Sequence, residues 1–235
     1  MILYIWYALV AIILIRKFSP EIYDIVIVKM TSKWYKTVLE RLPQGARVLD
    51  IGIGTGSALA QNASIVEQKD LRIVGVDYDQ TYVTKCEQVI RDTSGLIGRT
   101  CVVCKSVYDG DLQRVANATA SVDENELFDA VYFSGSISLM PDPAEALRCT
   151  AQLLKPNGRL YITQTFQRKG TKFMEYAKPL LKYVTTIDFG KLTYEKDVVN
   201  FIQESGLEIV ENSIIPGSVD NYFQAAFIIV LKNTK

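Results

Sequence analysis

The chain has 235 residues, with 26 Lys plus Arg balanced by 26 Asp plus Glu, and it contains no histidine. Zero net charge without a long basic run leaves no electrostatic footprint for a polyanion, so no nucleic-acid partner is expected. The missing histidine removes Ser-His and Cys-His nucleophilic pairs, histidine bases and histidine metal ligands together, and no metal site is expected. Hydrophobic residues make up 49% of the chain, enough at this length to bury one sizeable core with an appendage.

Residues 1–15 carry no charge, include Tyr4, Trp6 and Tyr7, and run straight into Arg16 and Lys17. A helix there would span roughly 23 Å at about 1.5 Å per residue, short of the ~30 Å hydrocarbon core, so crossing would need thinning or snorkelling. The stretch reads as an N-terminal hydrophobic helix that contacts a membrane through residues 1–15, with an anchor bounded at 1–18. The absence of a polar stripe argues against a buried core helix, and the absence of a basic n-region argues against a signal peptide. Positive charge on its C-terminal flank puts the rest of the chain on the cytoplasmic side.

Ser19-Pro20-Glu21 is a helix start, and Ile27, Met30, Trp34, Val38 and Leu42 recur at helical spacing until Pro43. Residues 19–43 therefore read as a helical lid or linker. Packing is its main task, with Tyr23, and after it Trp34 and Tyr35, as candidates to cover a ligand site.

Val48-Leu49-Asp50-Ile51-Gly52-Ile53-Gly54-Thr55-Gly56 is an apolar run that stops in three alternating glycines. It suits a buried parallel strand entering a tight loop, with Ser57 to Ala63 restarting as helix. Leu71 to Tyr78 is a second apolar strand, ending in the carboxylate of Asp77. An acidic side chain at that place beyond a glycine loop can accept hydrogen bonds from both ribose hydroxyls. An ordinary strand-to-helix turn and a surface cap are the bland alternatives. Cys101 and Cys104 are spaced like one half of a zinc site, but they lie in a β-type run that points them to opposite faces and no second pair follows, so the four cysteines read as core thiols.

Asp50-Ile-Gly52-Ile-Gly54-Thr-Gly56 followed by Val76-Asp77-Tyr78 resembles motif I and the following acidic motif of class I S-adenosylmethionine-dependent methyltransferases, nearest the type 11 and ubiquinone-biosynthesis branch. A dinucleotide fingerprint would need glycine at position 57 or 59, where Ser57 and Leu59 stand. The resemblance implies S-adenosyl-L-methionine as cofactor, with Gly52, Gly54 and Gly56 against its methionine part. Asp50 would help to hold that end, Asp77 the ribose, and Tyr78 would lie against adenine. It also implies a Rossmann-like α/β domain over 44–235, with a seven-stranded mostly parallel sheet, an antiparallel last strand and helices on both faces.

Thr100 to Lys105 reads as the third strand. Ser106 and Val107 then fall where the family contacts adenine, with Ser106 in place of a common Asp, so that its hydroxyl, a backbone group or Asp109 would serve. Asp109 to Asn125 reads as a polar surface connection. Phe128 to Ser136 is the fourth strand, opening at Ser134 and Gly135 where the family's reactants meet. Asp142-Pro143-Ala144-Glu145 starts a helix to Leu154 with a capping-box glutamate. Leu160 to Phe166 alternates as a strand. Gln167 to Leu192 looks like an insertion over the sheet's C-terminal edge, a substrate cover or a solvent loop. Thr193 caps a helix ended by Gly206, and two β-rich runs close the chain.

The resemblance implies direct methyl transfer to a small-molecule or membrane-partitioned acceptor, a lipid, quinone, sterol or amine. No catalytic base is identified; Tyr23, Gln164 and Asp188 are candidate substrate contacts near the sheet's C-terminal rim. An NAD(P)-linked oxidoreductase, an aminopropyl-type transferase and a non-catalytic membrane-tethered cofactor-binding module are the alternatives. The sequons at Asn62 and Asn117 offer a glycosylation check of topology.

Overall fold

The computed structural model describes residues 28–168 and 193–233. The apolar run 1–15, the helix start at Ser19, Tyr23, Asp188 and nearly all of the insertion read over 167–192 lie outside the described residues. Among the described residues no helix is long and apolar enough to cross a membrane.

The chain order is α1 (Lys29–Leu39), β1 (Arg47–Ile51), α2 (Ser57–Ala60), α3 (Ala63–Gln68), β2 (Arg72–Asp77), α4 (Gln80–Asp92), β3 (Thr100–Cys104), α5 (Leu112–Thr119), β4 (Phe128–Ser134), α6 (Pro143–Ala151), β5 (Leu154–Gln167), α7 (Glu195–Ser205), β6 (Glu208–Ile214) and β7 (Gln224–Lys232). The strands form one seven-stranded sheet in the order β3-β2-β1-β4-β5-β7-β6. β1 to β5 run parallel, while β7 enters antiparallel between β5 and β6.

Strand alternation divides the core into two layers. Val48 faces one side with Trp34, Tyr35 and Val38 of α1 and Val83 and Cys86 of α4. Leu49 and Ile51 face the other, with Ala116 of α5, Leu147 of α6 and Val198 of α7. Burial on both faces explains why β1 and β4 read as nearly unbroken apolar runs. Residues of the stretch read as a lid or linker thus sit in the core itself, with Trp34 and Tyr35 2% and 3% exposed.

Several local expectations shift. The helix read over Ser57 to Ala63 is two short helices, broken where the Asn62 amide donates to Ser32 O and Ala58 O. The Asp142 side chain caps α6 by accepting from Glu145 N at 2.9 Å, but Glu145 pairs with Arg148 instead of completing a capping box. That helix ends at Ala151, because Leu154 already begins β5. The polar connection 109–125 contains α5, since Leu112 and Ala116 find the core. Tyr194, not Thr193, holds the N-cap place of α7, and Gly206 ends it at φ 78°. Only Cys86 is a buried thiol; Cys104 is exposed, and Cys101 and Cys149 are intermediate.

Candidate functional site

The C-terminal ends of β1, β2 and β4 meet at one rim of the sheet. Beyond β1 the glycine loop turns sharply, with Gly52, Gly54 and Gly56 at φ 75°, 60° and 71°. Gly52 N donates to Val76 O at 2.7 Å, which holds the loop beside β2. At Gly52 a side chain has no room: a Cβ there would lie 2.6 Å from Ser136 Cβ. The Ser136 hydroxyl in turn donates to Ile51 O at 2.5 Å, tying the loop after β4 to the end of β1. Gly75, opposite Asp50 in β2, leaves space for Ile53 to fold back over the sheet.

Asp50 is the side chain at the centre. Its place in β1, on the same face as Val48, buries it beneath α1, and it is 1% exposed. Tyr35 of α1 donates its hydroxyl to Asp50 Oδ2 at 2.7 Å. Oδ1 is buried and has no hydrogen-bond partner among the described residues. Burial pushes the carboxyl up, the Tyr35 hydrogen bond pulls it down and the neighbouring Asp77 pushes it up, which together raise it to about 7.

Asp77 ends β2, 8% exposed, with Oδ2 accepting from Gly54 N at 3.1 Å and Oδ1 from Asp79 N at 3.0 Å. Burial raises this carboxyl as well, against the opposing pull of those N–H groups. Its two carboxylate oxygens keep lone pairs beyond these bonds, so the group can fix the loop and still accept from a ligand. Tyr78 follows at the rim and is 81% exposed.

Lys105 N donates to Asp77 O at 3.0 Å, which brings Ser106 and Val107 next to the end of β2. Asp109 turns back to accept from Ser106 N at 3.0 Å, so it closes this loop. Gly135, at φ 72°, lies under Trp34 and donates its N–H to Thr163 O at 2.8 Å. Gln164 sits one residue further along β5, where its Oε1 accepts from the Ser138 hydroxyl at 3.4 Å. Asp50, Gly52, Gly54, Gly56, Asp77, Tyr78, Ser106, Val107, Ser134 and Gly135 therefore cluster at the C-terminal ends of neighbouring strands. Tyr23 and Asp188 lie outside the described residues.

Sequence reasoning gave Tyr35 a minor role as a lid and did not join it to Asp50. The two belong to different elements, and no local spacing signals their contact. The orientation of α1 was equally hidden: Trp34 packs at the rim over Gly135, whereas the carbonyls of Leu39 and Leu42 accept from Lys69 at the far end of the sheet. Helix α1 thus runs away from the site along the sheet.

A methyl-donor cofactor of the sulfonium type fits this arrangement. It brings a cationic ammonium for an unpartnered buried carboxylate oxygen, a ribose for a carboxylate at the end of β2, and an adenine for an exposed aromatic ring. A pyrophosphate fits poorly, because the loop is backed by two carboxylates.

A family model described as a methyltransferase domain matches residues 28–212. Among curated proteins, the ubiquinone/menaquinone biosynthesis C-methyltransferase UbiE of Vibrio cholerae is 28% identical over 59% of this chain and 44% of its own length. UbiE of Yersinia enterocolitica is 27% identical over 59% of this chain and 46% of its own. The chain spans less than half the length of these curated relatives. Among solved structures, an S-adenosylmethionine-dependent methyltransferase from Aquifex aeolicus shares the fold at a TM-score of 0.58 and 16% identity, over 84% of this chain and 88% of the other. The [4+2]-cyclase SpnF shares it at 0.63 and 19%, over 86% and 81%. The mitomycin 7-O-methyltransferase MmcR does so at 0.62 and 16%, over 89% and 54%.

Proposed function

Because this chain belongs to the methyltransferase-domain family, we propose that it transfers a methyl group from S-adenosyl-L-methionine to a small-molecule, membrane-partitioned acceptor, a quinone-like ring first among them. The observation that carries the reading is Asp50, a buried carboxylate with one unpartnered oxygen and no cationic side chain among the described residues acting on it.

When bound, the cofactor supplies a methyl group on a positively charged sulfur, an electrophile that needs no acid to activate it. The chain's own task is to hold and orient. Asp50 takes the ammonium end, the Gly52 to Gly56 backbone lies against the methionine part, and Asp77 takes the ribose. Tyr78 with Ser106 and Val107 frames the adenine. Ser134 and Gly135 keep the space beyond β4 small-sided so that an acceptor can approach, and Gln164 with Ser138 offers polar contacts on its β5 side. Orientation in a water-poor site is the main catalytic need of such a displacement, so a chain without histidine is equipped for it.

The rim residues support an apolar acceptor: Leu139, which follows β4, is 59% exposed, and Met140 behind it packs against the core. The UbiE relatives, named for quinone biosynthesis, point to the same class. The apolar run 1–15 followed by Arg16 and Lys17 supports a membrane-anchored chain with this domain on the cytoplasmic side. The sequons give no check of that placement. Asn62 and Asn117 are 5% and 0% exposed with their amides hydrogen-bonded inside the fold, so a folded chain has no room for a glycan at either and its absence would not distinguish the compartments. Protease protection of the full chain in sealed vesicles checks it instead.

The deciding experiment incubates the full chain with methyl-labelled S-adenosylmethionine and fractionated cell extract. Label entering the organic phase is expected. Label in the aqueous or protein phase overturns the acceptor class, and cofactor binding without label in any phase overturns turnover.

A further inference from the structure

Among the described residues, the only side chain that hydrogen-bonds Asp50 is that of Tyr35. Tyr35 is 3% exposed, and its hydroxyl reaches Asp50 Oδ2 at 2.7 Å. Its ring is fixed edge-on against Tyr132, with centroids 5.0 Å apart and an interplanar angle of 86°. Tyr132 is held in turn by a 2.9 Å hydrogen bond between its hydroxyl and Thr163 Oγ1. α1, β4 and β5 thus build a three-residue brace on a single carboxylate of β1.

We propose that Tyr35 is a positioning residue for the cofactor: it holds Asp50 through Oδ2 and so leaves Oδ1 as the free acceptor for the cationic ammonium of the bound ligand. The proposal rests on the S-adenosylmethionine reading above.

The surroundings of Asp50 show why the hydroxyl matters. The titratable groups that face it are Tyr35 from α1, Tyr132 from β4, Asp77 from the end of β2 and Cys86 from α4. All are acids, and no cation stands among them. Burial pushes the Cys86 thiol up to about 12, so it stays neutral. Among the described residues an ionised Asp50 therefore has one internal stabiliser, the Tyr35 hydroxyl, and the Coulomb push from Asp77 opposes it. A buried carboxylate in that condition has two ways to be satisfied, by taking a proton or by meeting a cation from outside. The Tyr35 bond shifts the balance toward the charged form that a cation needs. A phenylalanine at this position keeps the ring contact with Tyr132 and loses only that control.

The test is calorimetric titration of the full-length wild type and of Tyr35→Phe with S-adenosylhomocysteine, which retains the ammonium and cannot transfer a methyl group. Titrations run from pH 6 to pH 8.5. Wild-type affinity is expected to rise through about pH 7 and level off. Tyr35→Phe is expected to bind about tenfold more weakly at pH 7 and to approach the wild type by pH 8.5, because its midpoint is displaced upward. A uniform loss with an unchanged midpoint would mean a merely structural role and overturns the proposal, as does unchanged binding. Should Tyr35→Phe not fold, the wild type alone decides. Titration at pH 6.5 in two buffers of different ionisation enthalpy must show proton release on binding, and its absence refutes the assignment. A wild type that binds neither S-adenosylhomocysteine nor S-adenosylmethionine at any pH removes the cofactor reading itself. That outcome is distinct from parallel pH profiles.

Discussion

The two ends of β1 carry buried charges of opposite fate. At the N-terminal end Arg47 is 6% exposed, and its Nη2 donates to Asn117 Oδ1 at 2.9 Å while Nη1 reaches Glu126 O at 3.3 Å. The guanidinium also lies 4.6 Å from the centroid of the Phe128 ring and pairs with Glu126 at 3.3 Å. Next to it, Asp129 accepts from Arg47 N and is bound by Lys155 at 2.9 Å. At the C-terminal end Asp50 has, among the described residues, a single partner and an orphaned oxygen. The contrast separates two uses of a buried charge. A saturated network holds loops to the sheet, whereas an unsaturated carboxylate is destabilising in isolation and, in the proposed function, is the one that takes a ligand as partner.

Breaking the saturated end should have the largest effect on folding and the smallest on the site. Arg47→Ala leaves Asn117 Oδ1 unpaired in the core and removes the bridge to the 126–128 segment. The expected loss is about 3 kcal/mol, at the low end for buried pairs because Glu126 is partly solvated, or roughly 6–12 °C in Tm. Thermal denaturation measures it. Cofactor affinity should remain within about twofold at temperatures where the variant is folded.

Asp50→Asn should do the reverse. Cofactor affinity is expected to fall about 100-fold, the worth of a buried charge-assisted contact. The cofactor-free variant should nevertheless melt higher than the wild type at pH 8. In the native chain Asp50 holds its proton up to about 7, while in the unfolded chain it releases it near 3.8. A group raised in this way contributes stability that is complete below the unfolded value and is lost as pH rises through the native one. Asparagine mimics the protonated state, so the advantage of the variant should grow from pH 4 to pH 7 and vanish below. A variant that melts lower at pH 8 would erase the distinction between the two ends of the strand.

Glycines flank β1 on both sides and sharpen the same comparison. Gly45 and Gly52 have similar φ values, 72° and 75°, yet nothing lies within 4 Å of a Cβ at Gly45, whereas one at Gly52 meets Ser136 at 2.6 Å. Gly45→Ala should cost about 1 kcal/mol from conformation alone. Gly52→Ala adds overpacking between two loops, about 2–3 kcal/mol in all, and should weaken cofactor binding as Ser136 is displaced. Chemical denaturation of both variants reads the difference.

The strand-loop motif and the acid after β2 were legible because each is local. Val48 to Gly56 is an apolar run cut by turn residues, and Asp77 closes another. β5 was legible from its alternation and β6 and β7 as β-rich runs, although the antiparallel entry of β7 came through a family resemblance. What stayed hidden is tertiary. Leu112 and Ala116 sit in a polar context, and their burial in the same core layer as Val103 and Phe128 is visible only in the fold. The alternation of Leu49, Asp50 and Ile51 says that Asp50 points away from its neighbours, but not that α1 lies on that side. Tyr35 read as a minor candidate to cover a ligand site. Its contact with Asp50 depends on the course of that helix away from the rim, which no spacing encodes.

The smallest expected effect belongs to Tyr78, which offers the cleanest separation of binding from folding. At 81% exposure just beyond the end of β2, it contributes little to the core. Tyr78→Ala should therefore leave stability within about 0.5 kcal/mol of the wild type. If the ring lies against adenine, the loss of that face should weaken cofactor binding about fivefold, and Tyr78→Phe, which keeps the face, should bind as the wild type does. Adenosine alone should report the same ratio between the variants, since the contact involves no part of the methionine end. A fivefold loss for the cofactor without one for adenosine would move Tyr78 from the adenine to the mouth of the acceptor site.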